Sequence, residues 1–265
     1  MPAFEHEVSS LIISRYCDKL LSSLETDAAI VGAGPSALTA AYYLAKSDIS
    51  VTLFERGLAP GGGVWGGAML FNEVAVEEYS LPILDEFGIP YTKVEGTGGL
   101  YAIDSVLLAS GLIFGAVKAG AKIFNSVAVE DIVFKNGKVN GLVINWNTVR
   151  KAGMMVDPLT IISKCVLDAT GHPCEIMHLA AEKAGVRLNT PTGGVMGEKP
   201  MWAEPGEDAT VESTAEYYPG LFASGMSATN VTGGYRMGPV FGGMLRSGRK
   251  AAELIAASLG KKLAD

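Results

Sequence analysis

Residues 27–40, DAAIVGAGPSALTA, combine an apolar strand, a glycine-rich turn and the beginning of a helix rich in Ala and Leu. Gly32, Gly34 and Ala37 match the spacing G-x-G-x-x-G/A that is typical of dinucleotide-binding folds. Gly32 permits a sharp turn, Gly34 lets a diphosphate approach the backbone, and Ala37 allows the helix to pack closely on the strand. The helix N-terminus offers free N–H groups and a positive dipole to phosphates. The stretch predicts a Rossmann-type α/β fold that binds a dinucleotide at this turn; a tight turn without a ligand is the alternative.

A second apolar strand, residues 49–54, leads into Glu55. The acid stands about 20 residues beyond the glycines, where this type of fold places a carboxylate on a ribose hydroxyl. The next segment, RGLAPGGGVWGG at residues 56–67, holds six glycines and Trp65. A flexible linker would be polar and Ser-rich, so we predict an ordered loop folded against the ligand. Arg56 is a candidate ligand for a diphosphate or a ribose, and an exposed surface arginine is the alternative.

Composition restricts the class of protein. The 265 residues are 48% hydrophobic and 18% charged, with a net charge of −7, and we predict a single domain over 1–265. Lys and Arg are scattered, which argues against a nucleic-acid surface. No apolar run is long enough to span a bilayer, and the N-terminus lacks signal-peptide features, so we expect no membrane association. The three cysteines form no C-x-x-C pair, which favours a reducing, cytoplasmic setting.

Hydrophobic spacing predicts the elements of the first half of the chain. A helix over 5–24 precedes the glycine-rich turn and must pack on the outside of the sheet or on another subunit. Asn136-Gly137 indicates a hairpin turn. The region of about 90–160 is therefore expected to be a mainly antiparallel β insert in the Rossmann-type core. The expected elements are a helix over 75–88, strands over 91–94 and 100–103, a helix over 105–118, and strands over 122–125, 128–135 and 138–146.

The second half alternates between loops and short elements. Residues 147–158 lose periodicity and are expected to form a loop, and 159–164 to form a short helical or extended link. A strand over 165–168 precedes a helix over 174–184. Residues 189–216 are rich in Gly, Pro and Glu and are predicted to be a long ordered loop. A strand and turn over 218–226 and a final helix over 244–259 complete the prediction.

Two late segments, LDATG at 167–171 and GLFASG at 220–225, resemble flavoproteins of the glutathione-reductase type. In those proteins an acid usually follows the second segment and helps to hold the flavin. Met226 occupies that place here, which argues against a tightly held FAD.

A closer resemblance covers nearly the whole chain. The Glu55-Arg56 pair with the PGGGVWGG loop, INW at 144–146, Asp157-Pro158, ATGH at 169–172, and RMGP with FGGM at 236–244 resemble the thiamine thiazole synthase family. The archaeal and bacterial, sulfide-dependent branch is the nearest. Membership implies a homo-oligomer, often an octamer, that consumes NAD as a substrate. Nicotinamide leaves, ADP-ribose condenses with glycine, and sulfide completes an ADP-linked thiazole carboxylate that is expected to co-purify.

The resemblance also implies the site residues. It assigns Arg236 to the glycine carboxylate, which a guanidinium matches well, and Asp157 and His172 to Fe(II). Two protein ligands bind iron weakly, so a substrate chelate or a ligand from a neighbouring subunit is expected. Without the resemblance, Asp157 reads as a turn residue and His172 as a helix cap. The nucleotide is assigned to Gly32, Gly34, Ser36, Glu55, Arg56, Gly63, Val129, Met155, Val156, Asp157, Met226 and Arg236.

Met155 takes the catalytic position at which eukaryotic members have a sulfur-donating cysteine and many archaeal members a histidine. A thioether has no proton to lose and is a poor sulfur donor. We therefore predict that sulfide or a carrier persulfide supplies the sulfur, and that the enzyme turns over repeatedly. Cys174, two residues after His172, is either a surrogate donor or a buried thiol, whereas Cys17 and Cys165 are expected to pack among apolar neighbours.

Two other functions stay open on the sequence. An FAD-dependent oxidoreductase of the same superfamily would be yellow when purified. An inert protein that binds NAD or ADP-ribose is compatible with Met155 replacing the usual active residue. Release of nicotinamide from NAD would reject the inert protein.

Overall fold

The computed structural model describes residues 3–264. The strands in chain order are β1 (Glu25–Val31), β2 (Val51–Glu55), β3 (Glu73–Glu77), β4 (Thr92–Lys93), β5 (Leu100–Asp104), β6 (Lys122–Asn125), β7 (Val127–Lys135), β8 (Lys138–Trp146), β9 (Leu159–Asp168), β10 (Lys199–Met201), β11 (Ala215–Tyr218), β12 (Leu221–Ala223) and β13 (Tyr235–Arg236). The α-helices are α1 (Phe4–Leu21), α2 (Pro35–Lys46), α3 (Leu81–Phe87), α4 (Ser105–Ala119), α5 (Asn147–Lys151), α6 (Glu175–Lys183), α7 (Ala203–Glu212), α8 (Met226–Thr232) and α9 (Gly242–Ser258). Three short 3-10 helices cover Gly62–Gly66, Ala68–Leu70 and Glu78–Ser80.

The main sheet has β1 near its centre. Its order is β11-β12-β9-β1-β2-β6, and the neighbours from β12 to β6 are parallel. The hairpin of β7 and β8 joins the same sheet, because β8 pairs antiparallel with β9. A separate antiparallel sheet has the order β3-β5-β4. The Rossmann-type α/β class and the antiparallel character of the inserted strands are confirmed.

Alternating residues of β1 supply two hydrophobic cores, one on each face of the sheet. Ala28 and Ile30 belong to the core that α2, α4 and α9 cover. Ala29 and Val31 belong to the core on the opposite face, which α6 covers. Because a strand points successive side chains to opposite faces, a run of small and branched apolar residues fits a doubly covered sheet. Both faces are thus closed, and the edge at the carboxyl ends of the parallel strands is left for a ligand.

The structure corrects several predicted elements. The helix predicted over 75–88 is strand β3 in its first part, since Val74 and Val76 are buried in alternation and β3 pairs with β5. Only Leu81–Phe87 is helical. The predicted loop over 189–216 contains β10, α7 and β11. Helix α7 contains Pro205 and Gly206, which hid its helical character, and its packing against α9 overrides that weak propensity.

Two shorter segments also differ from expectation. Residues 147–158 include the short helix α5, which the lost periodicity concealed. Residues 159–164 are extended and form the first part of the ten-residue strand β9, which settles the choice left open between a helical and an extended link.

Helix α1 leaves its apolar side chains uncovered. It was predicted over 5–24 and ends at Leu21, and none of its residues is buried. Phe4, Leu11, Ile12, Ile13 and Leu21 are 61–74% exposed. Only its last turns reach the sheet, where the ring of Tyr16 meets Phe124 edge-on at 6.0 Å between centroids. Among residues 3–264, no helix is long and apolar enough to cross a membrane.

Candidate functional site

A cavity of about 760 Å³ opens at the carboxyl ends of β1, β2 and β9. Segments that are far apart in the sequence meet there, because the ends of adjacent parallel strands share one edge of the sheet. The predicted site residues that line it are Gly32, Gly34, Ser36, Glu55, Arg56, Gly63, Val129, His172, Met226 and Arg236. Its volume is in the range of small-molecule and cofactor sites.

The glycine-rich turn has two glycines with different roles. Gly32 has a φ of +90°, and a Cβ there would lie 2.5 Å from the carbonyl oxygen of Ala169, so only glycine fits. Gly34 has a φ of −75° and precedes α2 as its N-cap. A Cβ at Gly34 would meet no atom within 4 Å, so nothing in the protein requires a glycine there. The open space beside Gly34 is what a diphosphate at the N-terminus of α2 would need.

Glu55 is the last residue of β2 and points both carboxylate oxygens at backbone N–H groups. The amide of Ala33 donates to Oε2 at 2.9 Å, and the amide of Gly57 donates to Oε1 at 2.6 Å. Each carboxylate oxygen has a further lone pair. Glu55 is therefore held in place beside the glycine-rich turn and can still accept hydrogen bonds from ribose hydroxyls.

Arg56 is not a solitary surface arginine, because it forms an ion pair with Glu175 across the cavity. Glu175 is the first residue of α6 and lines the same cavity. The side chain of Asn147 fixes the backbone of Arg56, donating from Nδ2 to its carbonyl oxygen at 2.7 Å. No motif of the sequence includes Glu175, and the ATGH segment before it is the only local signal that could have drawn attention to it.

His172 follows the turn after β9 and is held by a residue that the sequence analysis missed. Its Nδ1 lies 2.8 Å from Oε2 of Glu198. A carboxylate on one ring nitrogen fixes the tautomer and leaves the other nitrogen as an electron-pair donor. Asn230 holds the same residue by donating from Nδ2 to its carbonyl oxygen. The imidazole is thus oriented through Nδ1, and Nε2 remains for a metal or a substrate.

Asp168 organises the turn that carries His172. It is completely buried at the end of β9. Its Oδ1 accepts hydrogen bonds from the backbone and side chain of Thr170 and from Ser227, and its Oδ2 accepts from the amides of Ile176 and Met177 in α6. The carboxylate therefore caps α6 and ties the LDATG segment to α8.

Arg236 also lines the cavity. It ends β13, which pairs with β10, and the amide of Trp202 donates to its carbonyl oxygen at 3.1 Å. Its guanidinium forms no ion pair with any residue that the structure describes. A cation without a partner on the wall of the cavity is suited to an anionic ligand.

Met155, Val156 and Asp157 do not line the cavity. They lie in the exposed link between α5 and β9, and the side chain of Met155 is fully exposed at 102%. Asn145 anchors the link by donating from Nδ2 to the carbonyl oxygen of Val156 at 3.1 Å. Asp157 and His172 of the same chain therefore do not line one cavity. Between residues 3 and 264, no group of three or more His, Cys, Asp and Glu side chains could hold a metal ion.

The cysteines differ in their surroundings. Cys174 is buried, and burial raises the pKa of its thiol well above the usual range, with the Asp168 carboxylate adding to the shift. Burial also raises the pKa of Cys165, whose Sγ lies 3.2 Å from Ser258 Oγ. Cys17 is exposed on α1, so the prediction that it packs among apolar neighbours is wrong. A thiol that stays protonated is a poor nucleophile and a poor metal ligand, which favours a structural role for Cys174.

The fold and the cavity define the class: an α/β protein with a Rossmann-type, dinucleotide-binding type of fold and a cavity at the carboxyl ends of its parallel strands. The chain belongs to the Thi4 family, whose sequence profile matches residues 9–241. The family expected from the motifs is confirmed.

Relatives match over nearly the full length of the chain. A thiamine thiazole synthase from Thermococcus kodakarensis is 53% identical over 257 residues, which are 97% of this chain and 99% of the relative. Another from Methanothermobacter thermautotrophicus is 48% identical over 96% of this chain and 97% of its own length. The crystal structure of Thermovibrio ammonificans THI4 superposes with a TM-score of 0.93 at 50% identity, covering 98% of this chain and 100% of that one.

Proposed function

We propose that this protein is a thiazole synthase of thiamine biosynthesis that consumes NAD, glycine and sulfide, releases nicotinamide and forms an ADP-linked thiazole carboxylate. One observation carries the proposal: the glycine-rich turn, His172 and the unpaired Arg236 line one cavity. The relatives named thiamine thiazole synthase support it, since they match this chain end to end. The reaction makes the protein an enzyme of the glycosyl- or pentosyl-transferring class.

The part of the cavity around the glycine-rich turn would bind the ADP part of NAD. Gly34 and the N-terminus of α2 accommodate the diphosphate, and Glu55 accepts from the ribose hydroxyls. When the nucleotide binds, Arg56 would leave its ion pair with Glu175 and contact the ligand instead. These residues hold one end of NAD still, so that its other ribose lies toward His172 and Arg236, where bonds are made and broken.

Arg236 would pair with the glycine carboxylate, because a guanidinium fork matches a carboxylate and nothing within residues 3–264 competes for it. Arg236 lines the same cavity as the glycine-rich turn and would orient glycine toward the sugar. His172 lines this cavity as well and follows the end of β9.

The cavity of one chain supplies one of the two proposed Fe(II) ligands, His172. His172 offers Nε2 while Glu198 holds Nδ1, which is the arrangement of a metal-binding histidine. We propose Asp157 as the second ligand, brought into the cavity by a neighbouring subunit, because its own link is exposed and lies outside the cavity of its own chain. Iron bound there would supply Lewis acidity and a position for sulfide.

The exposed apolar surface of α1 also supports the presence of a neighbouring subunit. The exposed apolar side chains of this helix are a surface that a second copy can cover, and we propose a homo-oligomer, with an octamer as the expected size. Met155 and Val156, next to Asp157 on the exposed link, would enter the site of the neighbour together with it. Sulfide or a carrier persulfide would deliver the sulfur, since a thioether at Met155 cannot do so.

The test is anaerobic incubation of the purified protein with NAD, glycine, sulfide and Fe(II), followed by mass detection of the ADP-thiazole. Formation of product with release of nicotinamide supports the proposal. A colourless protein that carries an adenylated ligand after purification excludes the flavin oxidoreductase. Binding of NAD without release of nicotinamide, under every metal and sulfur source, would leave an inert ADP-ribose-binding protein instead. Light scattering of the same sample measures the oligomer.

A further inference from the structure

Two carboxylates, the buried Glu207 and the half-buried Glu77, lie against the first turn of α9, outside the cavity. The amide of Gly243 donates to Oε2 of Glu207, which lies in α7 and is 1% exposed. A Cβ on the preceding residue, Gly242, would overlap Oε2 of Glu77, the last residue of β3. Since Gly242 and Gly243 are consecutive, the carboxylates of Glu77 and Glu207 both lie against the same helical turn.

Each carboxylate keeps one oxygen without a donor. Oε1 of Glu207 and Oε2 of Glu77 are buried and have no hydrogen-bond partner among the described residues. Two ionised carboxylates with bare oxygens would suffer a large desolvation cost as well as mutual repulsion. A proton on Glu207 reduces both penalties, because only one negative charge is then left at this turn.

The charged surroundings favour a proton over a bound cation. The turn is the positive end of a long helix, which suits one negative charge and disfavours an added cation. Arg246 of α9 stands nearby, paired with Asp208 of α7 at 3.0 Å and stacked on the ring of Tyr79 at 4.2 Å. Burial, with smaller contributions from the carboxylates of Glu77 and Asp208, raises the pKa of Glu207 to about 8, against the opposing effects of the Gly243 amide and Arg246. Burial raises the pKa of Glu77 as well, while a hydrogen bond with Tyr79 and the charge of Arg246 act in the opposite direction.

The turn is joined directly to the cavity wall. Residues 236–241 lead into α9, and Val240, Phe241 and Met244 line the cavity. The β3 side holds this segment, because the amide of Phe241 donates to the carbonyl oxygen of Ala75 at 3.0 Å. The α7 side holds it too, because a Cβ on Gly206 would lie 2.9 Å from the amide nitrogen of Met237.

We propose that Glu207 carries a proton beside the Glu77 carboxylate at the start of α9, and that these two positioning residues thereby hold residues 236–241, with Arg236, on the cavity wall. The inference rests on the proposed function in one respect, that this wall binds the substrate. Loss of the proton on Glu207 would place two like charges between α7 and β3 and loosen the segment. Ligand binding should therefore weaken as Glu207 ionises.

The test compares wild type with Glu207→Gln. The amide oxygen of Gln accepts from Gly243 and its NH2 group carries no charge, so the variant imitates protonated Glu207 at every pH. Hydrogen exchange of residues 236–245, corrected for intrinsic rates, and ADP-ribose affinity without iron are measured at pH 7 and pH 9. We expect wild type to lose about tenfold in affinity, with matching loss of protection, and Glu207→Gln to keep both. Glu204→Gln, which removes an exposed acid of α7, should behave as wild type.

Thermal unfolding supplies a second readout. A folded-state pKa of Glu207 of about 8, against an ordinary 4.5, makes wild type lose stability as pH rises through this interval and level off above it. The Tm of wild type should fall by about 4 °C per pH unit relative to Glu207→Gln. If Glu207→Gln fails to fold, Glu77→Gln makes the same comparison from the other side.

Parallel pH profiles of wild type and the Gln variant, in Tm and in exchange, would overturn the inference. A wild type that binds no ADP-ribose at any pH would instead overturn the proposed function, and the exchange and Tm profiles would still decide whether the pair holds the segment.

Discussion

Nδ1 of His172 lies 2.8 Å from Oε2 of Glu198, although 26 residues separate them in the chain. The contact fixes the imidazole and decides which nitrogen faces the cavity. If His172 binds Fe(II), Glu198 controls that binding without touching the metal.

Replacing Glu198 tests this relationship. We expect Glu198→Ala to weaken Fe(II) binding about 10- to 100-fold, because the ring loses its orienting partner. Glu198→Gln should lose less, since its amide oxygen still accepts from Nδ1. Anaerobic metal titration followed by calorimetry measures the effect. The matched control is Glu182→Gln, which alters the exposed pair of Glu182 with His178, at 3.7 Å on the surface of α6. An equal loss in this control would contradict the prediction.

The ion pair of Arg56 and Glu175 predicts a gain in affinity from a loss of charge. Glu175→Gln removes a carboxylate that competes for Arg56 and repels a diphosphate in the same cavity. Because the pair is partly exposed, we expect ADP-ribose to bind only about 2- to 5-fold more tightly, as measured by calorimetry. In an Arg56→Ala background the same change should have a much smaller effect. Weaker binding by Glu175→Gln alone would show that the carboxylate itself contacts the ligand.

Substitution of the two glycines of the glycine-rich turn is predicted to have opposite effects on stability. Gly32→Ala places a side chain at a φ of +90° and against the carbonyl oxygen of Ala169. The free energy of unfolding should therefore fall by about 2–4 kcal/mol. Gly34→Ala meets no protein atom at a φ of −75°, so stability should be unchanged or rise by up to ~1 kcal/mol.

Nucleotide binding should separate the same two variants. The added methyl group of Gly34→Ala occupies the space assigned to the diphosphate, and ADP-ribose affinity should fall at least about tenfold in a folded protein. Chemical denaturation and calorimetry on each variant provide the comparison. Full affinity in Gly34→Ala would place the diphosphate elsewhere.

Sulfur transfer predicts an unchanged protein after many turnovers. Met155 cannot donate sulfur, and burial keeps the Cys174 thiol protonated, because its pKa is raised well above the usual range. Intact-protein mass spectrometry after turnover should show no loss of sulfur, and Cys174→Ala should keep its activity while losing about 1 kcal/mol of stability. Dehydroalanine at any cysteine would refute the sulfide-dependent reaction.

The local sequence determined the central fold and one half of the site. The strand–turn–helix of β1 and α2, the acid at the end of β2 and the buried alternation of strand residues depend on neighbours within a few positions. For that reason the turn at Gly32 and Gly34, together with Glu55, could be predicted from the residues alone. Family motifs added His172 and Arg236, which the structure brings to the same cavity.

Only the tertiary structure decided which distant side chains meet. Pairing with β5 made a strand of residues 73–77, where a helix was predicted, and packing against α9 made a helix of residues 203–212 in spite of Pro205 and Gly206. Glu175, Glu198 and Glu207 look alike in the sequence, yet one pairs with an arginine, one orients a histidine and one is buried beside Glu77. Folding sets such partners by the packing of whole elements, whereas local propensity depends only on residues nearby in the chain.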